Sequence, residues 1–164
     1  MAGGGGGKGK IIRIALQYIR KARKRAGARA AAGQMSPNRL RHTLVGERGG
    51  VASGFHHRPG GVDPPGAKLL RVTRRDPHTG VYEGRVAMLD RSTGEWREKR
   101  AVSTFFPDHW SPQQVDNAVT RAFHEGAVRD AATGSWSNTF RGIRIRGYYD
   151  PDTGSLLHGF PTLR

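Results

Sequence analysis

An α+β fold, with helices first and a twisted antiparallel sheet after them, is what this sequence predicts. Three observations carry that expectation. Apolar residues at helical spacing gather near the N-terminus and in one later segment. The C-terminal part is punctuated by turns of a single type: Asp76-Pro-His-Thr-Gly80, Asp90-Arg-Ser-Thr-Gly94 and Asp150-Pro-Asp-Thr-Gly154. Each opens with an Asp that can close an Asx-turn and ends in a Gly that accepts positive φ. Ahead of the last turn, Ile143 and Ile145 alternate with Arg144 and Arg146, the two-residue period of a half-buried strand.

Taken in order, residues 3–7 are consecutive glycines, a flexible linker by composition. Residues 10–32 read as a helix, with Ile12, Ala15, Leu16, Ile19, Ala22 and Ala26 as an apolar stripe among Lys and Arg. Such a basic amphipathic helix can lie on nucleic acid or a membrane, or can join the folded unit to something upstream. Charge separates two regions. Eleven of the 28 Lys and Arg precede the first acid, Glu47, so residues 1–41 carry +11 of the formal +15. Residues 1–35 are therefore expected to be a basic, Gly-rich linker and helical extension, and residues 36–164 the folded domain.

Inside that domain, Ser36 and Pro37 suit the N-cap and first position of a short helix over 38–45, closed by Gly46. Residues 49–66 form a Gly/Pro-rich loop holding Gly54-Phe55-His56-His57. Strands are expected at 68–75, 81–89, 95–103, 143–149 and 155–160. One long helix interrupts them: Ser111 caps it, Pro112 starts it, and Val115, Ala118, Val119, Ala122 and Phe123 make its apolar face before Gly126 ends it.

Composition narrows the function. A length of 164 residues is about one domain. A net charge of +15 and an isoelectric point near 11.4 predict an anionic partner, nucleic acid first and membrane surface second. The absence of Cys removes disulfides, thiol nucleophiles and thiolate zinc sites, and with them the zinc deaminases. No apolar run reaches the ~18 residues that span a membrane. The apolar stretch 11–19 is broken by Arg13 and Gln17, which argues against a secretory signal.

Seven histidines are the main titratable resource. His78 falls in a turn, His109 at a helix entry and His124 at a helix C-terminus, where imidazolium is favoured; all three suit structural roles. His42, His56, His57 and His158 lie in a short helix, a Gly-rich loop and the last strand. Cleaving RNA needs a base for the 2′-hydroxyl, an acid for the departing 5′-oxygen and a group that stabilises charge on phosphorus. Imidazole, with its ordinary pKa near ~6.5, serves as either acid or base. The nucleophile belongs to the substrate, so this chemistry requires no metal, cofactor or covalent intermediate.

The order Arg41-His42-Thr-Leu-Val-Gly46, Gly54-Phe55-His56, Ser103-Thr-Phe-Phe-Pro107 with Trp110-Ser111, and Gly154-Ser-Leu-Leu-His-Gly-Phe-Pro161 resembles bacterial EndoU-type endoribonuclease domains over about residues 36–164. The resemblance implies a barnase/EndoU/colicin/RelE-like fold and a metal-independent endoribonuclease whose products end in 2′,3′-cyclic phosphate. It makes His42 the first catalytic histidine and His56 the second, with His57 an adjacent competitor through His57-Arg58. His158 stands where the family carries Thr or Ser, and Phe160 keeps the family's base-stacking aromatic without its hydroxyl. Lys99, with Arg100 as alternative, is the nearest candidate for the lysine that some relatives place before the last helix. The resemblance further implies the secreted tip of a polymorphic toxin, with an upstream delivery region and a cognate immunity protein, acting on RNA such as tRNA in the target-cell cytoplasm. The competing expectation is a non-catalytic RNA-binding module that presents Tyr148, Tyr149 and Phe160 to bases.

Overall fold

The computed structural model describes residues 5–47 and 52–163, with side chains from Arg13 onward. Among the described residues four α-helices and two antiparallel sheets make the expected α+β fold, but the strands divide between two sheets rather than joining one.

The N-terminal helical segment is two helices, α1 (Gly5–Lys24) and α2 (Ala26–Ala31), broken at Arg25 with φ −114° and ψ 23°. α1 takes in residues 5–7 of the glycine run expected as linker; residues 3 and 4 lie outside the described residues. Each helical Gly costs about 1 kcal/mol against Ala, which is why composition points to a linker there. Ala15, Ile19 and Ala22 of the predicted stripe are buried in the main core with Leu40, Leu44, Val115 and Val119. The break at Arg25 turns α2 so that Arg29 is buried, where its two terminal nitrogens donate to Asp116 at 2.7 and 3.0 Å. The hydroxyl of Tyr18 donates to the same carboxylate at 2.7 Å. The extension thus lies on the domain rather than trailing from it. Among the described residues no helix is long and apolar enough to cross a membrane.

α3 (Pro37–Val45) starts as its cap predicts, the Ser36 hydroxyl accepting from the Arg39 amide at 3.3 Å. The first sheet runs β1 (Ala67–Arg75), β2 (Tyr82–Asp90), β3 (Glu95–Glu98), with β4 (Ser103–Phe105) also on β2. The strand expected over 95–103 is thus two pieces along one edge of β2: β3 pairs with residues 87–90 and β4 with residues 82–84. The chain between them is held to β2 by a backbone bond from the Lys99 amide to the Val86 carbonyl at 2.9 Å and by the Arg85 guanidinium, which donates to the Lys99 and Arg100 carbonyls at 2.7 and 2.6 Å. Phe55, Tyr82, Val86, Met88 and Phe105 form a second, smaller core beneath this sheet.

α4 (Pro112–His124) follows, held at its start by a reciprocal capping box between Ser111 and Gln114. It packs on the second sheet, β5 (Val128–Asp130), β6 (Ser135–Phe140), β7 (Ile143–Tyr149) and β8 (Leu156–Thr162), a simple meander. β7 alternates buried and exposed as its sequence predicts. β5 and β6 are unanticipated. The turn joining them, Asp130-Ala-Ala-Thr-Gly134, is a fourth copy of the motif. In all four the Gly amide bonds the Asp carbonyl at 2.7–2.9 Å, and the Asp side chain accepts from the amide two residues on.

Candidate active site

Two backbone contacts create the site. The loop after α3 folds back on that helix, so that the Phe55 amide donates to the His42 carbonyl at 3.0 Å and the His56 amide to that of Thr43 at 2.7 Å. Gly54 permits this approach: it has φ 77°, and a Cβ there would lie 2.3 Å from the His42 carbonyl oxygen. The loop is then tied to the first sheet, because the Phe106 amide donates to the His56 carbonyl at 2.9 Å. His42 and His56 become neighbours through main-chain geometry.

Each ring is then fixed from behind. His56 Nδ1 lies 2.7 Å from the Thr104 carbonyl, which can only accept, so Nδ1 carries the hydrogen and Nε2 the lone pair. His42 Nδ1 donates to Glu47 Oε1 at 2.6 Å, and a protonated His42 forms an ion pair there. β8 supplies the opposite wall. The His158 ring lies 5.0 Å from that of His42 and 5.4 Å from that of Tyr148, while Phe160 stacks on His56 at 5.3 Å and 22°. His158 Nδ1 is buried with no hydrogen-bond partner among the described residues.

Lys99 completes the cluster. Its ammonium donates to Ser103 Oγ at 2.9 Å and to the Gly54 carbonyl at 3.3 Å, and its charge acts on His56. Arg100 is exposed, its carbonyl accepting from Arg85, and it is not brought to the histidines. His57 also parts company with its neighbour. It is fully buried, with Nε2 donating to the Trp110 carbonyl at 2.9 Å on the far side of the loop. Of the expected site residues, the fold gathers His42, His56, His158, Lys99 and Phe160, and leaves out His57 and Arg100.

Burial dominates the protonation of these groups. Burial first, then Lys99, holds the proton affinity of His56 well below the ordinary histidine value. Burial, then the nearby His42 and Arg39, lowers His158 to about 4, and burial lowers Lys99 to about 8. At neutral pH His56 and His158 are neutral rings beside a largely protonated lysine. A neutral ring with a free Nε2, a second ring backed by a carboxylate and a fixed cation suit proton transfer at an anionic centre. Among the described residues no group of three or more His, Asp or Glu is arranged as a metal centre.

Sequence reasoning did not single out Glu47 as a site residue, although an acid five positions beyond His42 and just past the helix end was a usable signal. The Thr104 carbonyl left none, being main chain.

Residues 36–163 match the family described as bacterial EndoU nuclease. A Bacillus cereus protein named "Toxin" is 32% identical over 133 residues, covering 76% of this chain but only 22% of the relative's own length. The match runs from the cap of α3 to the end of β8, taking in every residue gathered in the cleft, and the chain belongs to the bacterial EndoU nuclease family.

Proposed function

We propose that the chain is the RNA-cleaving domain of a larger toxin and acts by attack of the substrate's 2′-hydroxyl on the adjacent phosphodiester. The juxtaposition of His42 and His56, each with its Nδ1 hydrogen committed elsewhere, carries this reading. His56 Nε2 takes the proton from the 2′-hydroxyl. His42 Nε2 delivers one to the departing 5′-oxygen, and Glu47 shares the charge of its protonated form. The P–O5′ bond breaks as the P–O2′ bond forms, leaving a 2′,3′-cyclic phosphate and a free 5′-hydroxyl. Lys99 offsets the developing charge on phosphorus, His158 hydrogen-bonds the same phosphate, and Phe160 stacks on a base with Tyr148 nearby. The phosphate also opposes the effect of Lys99, restoring proton affinity to His56 when RNA is bound.

The relative's name and its much greater length support a toxin with delivery segments beyond this domain. Such a protein requires an immunity partner in the producing cell, acidic to suit a chain of +15, and a target in the recipient cytoplasm.

Incubating the chain with total RNA in a chelator tests the reading. Cleavage is expected to persist, to leave cyclic phosphate ends and to stop at positions substituted with 2′-deoxyribose. Inhibition by chelator points to a metal nuclease, and binding without cleavage to the RNA-binding alternative.

A further inference from the structure

We infer that the groove running from α1 across the start of α3 to Glu47 binds the phosphate backbone of RNA flanking the cleavage point, and that Arg23, outside the matched family segment, is part of it. The groove has a volume of about 650 Å³ and is lined by Arg23, Asn38, Arg39, Arg41 and Glu47. Among the described residues every lining side chain is polar, so an apolar ligand finds no complement there. Three of the five are guanidinium groups, whose planar forks match phosphate oxygens in pairs. Arg23 and Arg39 are exposed, and neither guanidinium forms an ion pair among the described residues.

Position distinguishes this groove from a general basic surface. It ends at Glu47, whose carboxylate is engaged by His42, so the groove opens onto the edge of the histidine cleft. Arg39 is also near enough to His158 to disfavour its charged form. A strand with its reacting phosphate between the histidines therefore meets Arg39 next and Arg23 beyond. The backbone at Arg23 is anchored because its neighbour Ala22 is buried in the core. An acidic protein could engage the same arginines. RNA is favoured because the line of guanidiniums leads into the cleft that receives a phosphodiester.

This inference rests on the cleft accepting RNA, so its test reads binding rather than cleavage. The full chain is titrated by fluorescence anisotropy with a 2′-O-methyl RNA dodecamer and a 2′-O-methyl dinucleotide, neither of which can be cleaved by 2′-attack, over a range of salt. The variant Arg23→Ala/Arg39→Ala should flatten the dodecamer's log–log salt slope by about 1.4, at about 0.7 per single-strand phosphate contact. Its loss of affinity should be larger for the dodecamer than for the dinucleotide. The control Arg71→Ala/Arg91→Ala removes equal exposed charge from β1 and the turn between β2 and β3, and should change the slope less. An unchanged slope, an equal loss at both lengths or an equal effect of the control overturns the groove. So does loss of polyglutamate binding with RNA binding retained, which would assign the surface to an acidic protein. Cleavage by the wild type with no slope change sinks the groove and leaves the nuclease reading standing; tight dodecamer binding without cleavage of ordinary RNA does the reverse.

Discussion

The His158 ring stands 5.0 Å from the His42 ring, bringing the last strand against a helix more than a hundred residues earlier in the chain. Charge on His42 is one reason that charge on His158 is disfavoured. On the proposed mechanism the two rings divide labour: when His42 holds the proton it must deliver, His158 is neutral and can offer one N–H to a phosphate oxygen. On that reading His158 gives the service of the hydroxyl that the resemblance implies at this position.

His158→Thr should accordingly keep cleavage within about tenfold of the wild type, while His158→Ala loses the donor and, by the range for one missing electrostatic stabiliser, falls about 10²–10³-fold. Initial rates on a short RNA check this. If Thr fails as badly as Ala, His158 transfers a proton itself, and the pH–rate profile of the Thr variant loses one limb.

His42→Ala and His56→Ala should each lower kcat by about 10²–10⁴ with little effect on RNA affinity. His57→Ala should behave differently. It leaves the Trp110 carbonyl without its buried donor, so the expected damage is to stability, about 1–3 kcal/mol by urea denaturation, with kcat nearly intact in the folded fraction. A loss of kcat in His57→Ala matching that of His56→Ala would reverse the assignment.

Lys99 predicts a pH effect of definite sign. Its charge disfavours protonation of His56, second only to burial. Removing it as Lys99→Met lets the free enzyme's His56 take up a proton at higher pH, so the acid limb of kcat/KM should move upward. The maximum rate should also fall, since the cation no longer balances charge on phosphorus. A lower rate with a stationary limb would leave Lys99 a stabiliser of charge on phosphorus that does not tune His56.

Acid should weaken the fold through His57. Burial lowers it to about 4, below its unfolded value near 6.5, so the unfolded chain binds its proton first. Its contribution, about 3 kcal/mol if fully expressed, is complete above pH ~6.5 and is lost as pH falls toward ~4. Urea midpoints across that range should drop, and the drop should be shallower in His57→Gln.

These outcomes bear on what local sequence can carry. Three of the four turns are legible because an Asx-turn is closed by residues within five positions. The fourth escaped because its centre is Ala131-Ala132, and the strands beside it show no clean period. β5 has three residues. In β6 the positions facing α4 are Trp136, Asn138 and Phe140, and Asn138 breaks the apolar pattern in order to donate to the Ala122 and Glu125 carbonyls at the end of α4. The site was legible as a set of histidines, since their chemistry is intrinsic. Which of His56 and His57 enters the cleft was not, because a loop's facing is decided by the backbone bonds to α3 and β4.

The same limit applies to Asp116, which reads as one more polar residue on α4 yet is fully buried against Arg29 and Tyr18. The proposed boundary near residue 36 gives it a sharp test. A chain of residues 36–164 keeps the whole family segment and both sheets, and is expected to fold. It loses Arg29 and Tyr18 and uncovers the apolar surface under Ala15, Ile19 and Ala22. A buried carboxylate stripped of its partner costs about 3–5 kcal/mol, so the truncated domain should unfold at much lower urea. Asp116→Asn should then act with opposite signs. In the full chain it breaks the ion pair and destabilises; in the truncated chain it removes an unpaired charge and stabilises. Urea unfolding followed by tryptophan fluorescence on the four proteins reads both signs. A truncated chain with no cooperative transition in either form would make residues 1–35 an integral part of the domain, and equal signs would show that Asp116 is solvated once the helices are gone.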